Sequence, residues 1–163
     1  MNTTRTLLVW ALVAGSVAGC SRSEATHEAP APAAAAPAAK KVEPPQPAIE
    51  DTTFRLALTG ARDYEAGRAG TVALTLEARG GYHVNQDYPI RVDLKAPPGV
   101  KLEKATLGRP DAAEFSEAQA RFDLPFAAEQ GAHDLTATVD FAVCTKDTCV
   151  PDQRTVALSL AVR

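Results

Sequence analysis

The sequence has no concentration of basic charge. Its 17 lysines and arginines stand against 20 aspartates and glutamates, a formal net charge of −3, and no basic run or patch is visible. That argues against nucleic acid or an anionic lipid surface as a partner. Beyond its first twenty residues the chain also has no apolar stretch long enough to span a bilayer. It lacks an amphipathic helix of useful length, since residues 111–119 allow at most a short helical turn. No Ser-His-Asp set, carboxylate pair or phosphate-binding loop rises above chance, and Arg79, Gly80, Gly81 and Tyr82 read as a plain turn. Cysteine is scarce too. There are three, Cys20, Cys144 and Cys149, and in a compartment that forms disulfides an odd count leaves one to explain.

The first segment supplies the explanation. Arg5 precedes an apolar run at 7–14 that includes Trp10, and small residues follow up to Cys20. This charged, apolar, small order predicts a cleaved signal peptide over residues 1–19. The string VAGC at 17–20 resembles the lipobox of bacterial lipoproteins, which implies that Cys20 becomes the lipidated first residue of the mature protein. Cys144 and Cys149 then remain as a pair where disulfides persist. Ser21 is not the aspartate that retains many lipoproteins at the inner membrane. The expected address is therefore the periplasmic side of the envelope, the outer membrane before the inner. Residues 20–51 are rich in Pro and Ala and almost free of large apolar side chains, so nothing there offsets the entropy of folding. They are expected to form a disordered, lipid-anchored tether reaching roughly 30 Å as a coil and up to about 90 Å as polyproline.

From residue 52 to 163 the pattern changes to period two. Phe54, Leu56 and Leu58 alternate with polar or small residues, as do Val72, Leu74 and Leu76, then Ile90, Val92 and Leu94. Two longer runs follow: Leu135 through Val143, and Val156 through Val162. Weaker ones lie at 100–107 and 120–126. Seven or eight strands with turn residues between them predict an all-β fold, an antiparallel sandwich of immunoglobulin-like size.

The chemistry concentrates at residues 143–151, VCTKDTCVP, between the two longest strand patterns. A four-residue loop at 145–148 places Cys144 opposite Cys149 at a hairpin tip. Opposed residues have Cβ atoms about 4.5–5.5 Å apart and a disulfide needs about 3.5–4.5 Å, so the pair can close with little movement. The same register pairs Val143 with Val150, Ala137 with Val156 and Leu135 with Leu158 on one face. Both cysteines fall on the other face, pointing outward if the apolar face is the core. As a staple a six-residue loop contributes only about 2 kcal/mol on the chain-entropy model. A structural and a reactive disulfide are both open at this point. A metal site with His83 and His133 is disfavoured, because Cys-x₄-Cys is at the loose end of zinc spacings and oxidising conditions favour the disulfide. Lys146 and Asp147 at the tip either tune the thiols or are simply solvated.

Residues 81–160 resemble the N-terminal periplasmic domain of the thiol:disulfide interchange protein DsbD. The resemblance rests on GYHVN at 81–85, PPGV at 97–100, FDLPF at 122–126, and CTKDTCVP at 144–151 leading into TVALS at 155–159. It implies an immunoglobulin-like fold whose hairpin disulfide is redox-active, exchanging through mixed disulfides and needing no cofactor. It implies that Cys149 meets the partner and Cys144 resolves the intermediate. It also implies a surround for the disulfide, to which Tyr82, Asp111, Glu114 and Phe115 correspond. This chain has four residues between its cysteines where a family member has five, and His83 and Asn85 stand where aromatics are expected. The implied partners are thioredoxin-like periplasmic proteins. The family's membrane and thioredoxin-like segments have no counterpart in these residues, so the expected electron source is a separate membrane carrier. The alternative is a non-catalytic envelope lipoprotein, with an immunoglobulin-like binding or scaffolding domain and a structural hairpin disulfide.

Overall fold

The computed structural model describes residues 45–163. The expected signal peptide, Cys20 and the tether before residue 45 lie outside the described residues. The alternating segments form two sheets. One runs in the order β1 (Ala48–Glu50), β2 (Phe54–Thr59), β3 (Ala69–Ala78), β9 (Gln119–Ala128), β6 (Val100–Leu102), with β8 (Glu114–Phe115) also paired to β9. The other runs β11 (Cys149–Val162), β10 (Gly131–Cys144), β5 (Arg91–Lys95), β7 (Thr106–Gly108), with β4 (His83–Val84) also on β10. All of these pairings are antiparallel. The fold is the all-β immunoglobulin-like sandwich that the pattern predicts.

The sandwich follows from which side chains face inward. On β2 and β3 the apolar set is Phe54, Leu56, Leu58, Val72, Leu74 and Leu76, and on β9 it is Phe122, Leu124 and Phe126. These pack against Val92, Leu135, Val139, Phe141, Val156 and Leu160 of the second sheet. Phe54 and Phe141 meet edge to face at 4.8 Å between centroids. No polar or charged residue is buried as a whole among the described residues, so the interior is held by apolar burial.

Two turns position the elements that matter for the site. Arg79, Gly80, Gly81 and Tyr82 carry the chain from β3 to β4, with Gly80 at φ 62° and Gly81 at φ 81°. The Tyr82 amide donates to the Arg79 carbonyl at 3.0 Å. Positive φ at both central residues is the type I′ arrangement, which only glycine adopts at little cost. A Cβ on Gly80 would also lie 2.4 Å from the Thr52 carbonyl oxygen. Between β1 and β2, Asp51 Oδ1 accepts from the Thr53 amide and hydroxyl, both at 3.0 Å. The Thr53 amide first, and its hydroxyl after it, hold the Asp51 carboxyl below the usual carboxylate range.

The structure departs from expectation in its short elements. β1 lies within the range read as tether, because Ala48, Ile49 and Glu50 pair with Ala57, Leu56 and Arg55. The helical turn expected within 111–119 is a 3₁₀ turn at Arg109–Asp111, with Pro110 as its second residue, and Glu114–Phe115 is a strand edge on β9. Proline fits the first positions of such a turn because its missing N–H would have no partner there.

Candidate redox site at the hairpin tip

β10 and β11 form the longest hairpin, with the register the spacing predicts: Leu135 opposite Leu158, Ala137 opposite Val156, Val143 opposite Val150 and Cys144 opposite Cys149. The Thr145 amide donates to the Thr148 carbonyl at 2.8 Å, and Thr145 Oγ1 accepts from the Asp147 and Thr148 amides. That closes the four-residue loop and leaves the cysteines on the next, non-hydrogen-bonded rung. On that rung the side chains of an antiparallel pair approach most closely. The Cα atoms are 4.0 Å apart and a disulfide joins Cys144 to Cys149.

The two cysteines differ in access. Alternation puts Phe141 and Val143 on the core face and Cys144 and Cys149 on the outer face. Cys149 is exposed, and its neighbour Val150 is 42% exposed, but Cys144 is only 2% exposed. Outward direction therefore gives access to one sulfur and not the other. The reason lies beside β10. β4 pairs His83 with Cys144 and Val84 with Val143, the Asn85 amide donates to the Ala142 carbonyl at 2.9 Å, and pairing resumes with Arg91 opposite Asp140. Residues 86–90 thus leave the sheet beside a single residue of β10, and Asn85 at the start of this excursion reaches the disulfide. Its Nδ2 lies 3.2 Å from Cys144 Sγ and 3.6 Å from Cys149 Sγ. A hairpin disulfide with one open and one shielded cysteine, on an antiparallel sandwich, is the decisive arrangement.

Residues 56–161 match the family described as the N-terminal part of the thiol:disulfide interchange protein DsbD. The chain belongs to this family. The match spans β2 to β11 and includes both cysteines of the pair. No curated protein matches the chain. Among solved structures, a cohesin module from Clostridium perfringens family 33 glycoside hydrolase is similar at 11% identity and a TM-score of 0.45, over 69% of this chain and 100% of that one. The GAE domain of GGA2p from Saccharomyces cerevisiae is similar at 10% identity and a TM-score of 0.44, over 68% and 95%.

Within this DsbD N-terminal domain, the expected surround of the disulfide is only partly brought together. Tyr82 is half-buried and packs against the core just before β4. Phe115 is half-buried on β8, and the Arg109 guanidinium lies 5.0 Å over its ring. Arg109 also donates to the Gln86 carbonyl at 2.8 Å, so the stretch from 109 to 115 touches the excursion that begins at Asn85. Asp111 takes other partners: it pairs with Lys104 and accepts from the Gly108 amide at 3.0 Å. Lys104 first and that amide second hold its carboxyl below the usual range. Lys146 and Asp147 are exposed at the loop tip. Among the described residues no group of three or more His, Cys, Asp and Glu is placed to hold a metal ion. The residue that sequence reasoning passed over is Asn85, noted only as standing where an aromatic was expected. A signal was present: Asn followed by Gln86, Asp87, Tyr88 and Pro89 has the composition of an Asx turn.

Proposed function

We propose that the chain is an envelope-tethered thiol–disulfide exchange module. It passes electron pairs between a separate membrane carrier and thioredoxin-like partners through Cys144 and Cys149. Family membership supports exchange in general, and the unequal exposure of the two cysteines is the observation that carries the mechanism.

A partner thiolate attacks Cys149 Sγ, the accessible sulfur. A partner–Cys149 bond forms as the Cys144–Cys149 bond breaks, and the bonding pair leaves on Cys144 as a thiolate. The partner's second thiolate then attacks its own sulfur in the mixed disulfide and releases Cys149 with its electron pair. The partner departs as a disulfide, and this chain holds two thiols after proton uptake. Run backwards, the same steps reduce an acceptor. Burial keeps Cys144 from partners yet leaves it beside Cys149, which suits a resolving thiol. Lipidation of Cys20 and the Pro/Ala-rich segment would keep the exchange within tens of ångströms of one membrane face, with the outer membrane as the proposed site.

The reading is tested by mixing the disulfide form of the protein with the reduced form of a thioredoxin-fold protein of an oxidising compartment and counting free thiols on each after separation. Transfer of two thiols per molecule is expected. A chain that keeps its disulfide beside the reduced partner would instead indicate a structural disulfide in a scaffolding lipoprotein.

A further inference from the structure

The Asn85 side chain is held in one orientation by its own turn. Oδ1 accepts from the Asp87 amide at 2.8 Å and the Tyr88 amide at 3.2 Å. Those two donors fix which end of the carboxamide is oxygen, so the opposite end is the NH₂ group. That group has two hydrogens to donate, and the sulfurs of Cys144 and Cys149 lie 3.2 and 3.6 Å from its nitrogen. The backbone of Asn85 is fixed as well, through its amide on Ala142. A disulfide sulfur is a weak acceptor, whereas a thiolate is a charged one, and hydrogen bonds to charged acceptors are about twice as strong as neutral ones. The donor therefore gains strength only when the disulfide opens. Cys144 is the nearer sulfur and is shielded from water, so it has the greater need of a protein donor.

We propose that Asn85 is the positioning residue of this site: its NH₂ group donates a hydrogen bond to the thiolate left on Cys144 when the disulfide is attacked at Cys149. The inference rests on the exchange reading above. It makes Cys144 a good leaving group while burial keeps it from partners. In the reverse direction the same bond keeps Cys144 as the thiolate that closes on Cys149. His83, directly across β4 and β10 from Cys144, is the titratable side chain on the same rung. Asp140, with Arg91 opposite it, lies four residues back along the same face of β10, and Lys146 and Asp147 lie on the exposed loop.

Asn85→Asp is the informative variant. Its oxygens can still accept from the Asp87 and Tyr88 amides, so the turn is kept, but no donor faces the sulfurs. The equilibrium constant for reduction by glutathione is expected to fall about tenfold or more. With Cys149→Ser in the background, the pH midpoint for Cys144 thiolate absorbance should rise by about one unit or more. Asn85→Ala, which removes donor and acceptor without adding charge, should move both readouts the same way by a smaller amount. His83→Gln reads the imidazole's share separately. Unchanged values in both Asn85 variants would overturn the proposal while leaving exchange intact, provided the unmodified protein still equilibrates with glutathione. An unmodified protein that resists glutathione overturns the exchange reading, and the role of Asn85 in exchange with it. A shift in Asn85→Asp alone would assign the effect to the added charge and overturn the role of the donor.

Discussion

Cys144→Ser is expected to capture a thioredoxin-fold protein that keeps only its attacking cysteine, supplied as a mixed disulfide with a small thiol that leaves on exchange, as a stable adduct through Cys149. Cys149→Ser is expected to capture at least about tenfold less in the same time. The contrast follows from access. Both variants carry one thiol of the pair, on the same rung of the same hairpin. A partner sulfur must approach along the bond to be broken, and its surrounding domain must come with it. At Cys149 the approach is open, with exposed Thr148 and Val150 on either side. At Cys144 the residue is 2% exposed and Asn85 stands over the sulfur. Adduct formation is read on a non-reducing gel and the linked cysteine is located by peptide mass. Equal yields from the two variants would show that the excursion does not shield Cys144, and the assignment of attacking and resolving roles would fall.

Phe141→Ala should cost about 3–5 kcal/mol of folding stability. Phe141 is fully buried on the core face of β10, three residues before Cys144, and meets Phe54 of the opposite sheet edge to face. Truncation leaves a ring-sized void between the sheets and removes the aromatic pair, itself about 0.5–1.5 kcal/mol beyond area burial. A domain of this kind has about 5–15 kcal/mol in total, so the variant loses about a fifth or more. Urea unfolding with the disulfide intact measures the change. Val150→Ala is the control: Val150 lies opposite Val143 in the same hairpin, but its exposure limits the expected change to about 0.5 kcal/mol. A Phe141→Ala cost close to that of the control would mean that β10 does not anchor the hairpin to the core.

The hairpin was legible because period two and a four-residue loop together specify a register, and a one-residue slip would have moved every core-face side chain of β10 to the outer face. The direction of the cysteines was legible for the same reason. The burial of Cys144 was not, since strand periodicity says which way a side chain points and not what comes to lie over it. Its cover is the stretch after β4, a strand of two residues too short to show any alternation. β1 and β8, with three and two residues, were hidden in the same way, and Pro47 beside β1 read as tether. Asp111 shows the limit of carrying a family's surround over by position. The lysine that takes its carboxylate, Lys104, is seven residues away in sequence, and no local pattern announces that pairing.

The central claim is that Cys144 and Cys149 exchange with partners and do not merely staple a hairpin. The most direct test is the reduction potential of the pair, from thiol trapping of the full chain equilibrated in glutathione buffers of graded ratio. Exchange predicts a value near about −200 mV, where thioredoxin-fold proteins of oxidising compartments can give and take its electrons. A value below about −300 mV would place the bond among structural disulfides and contradict the account.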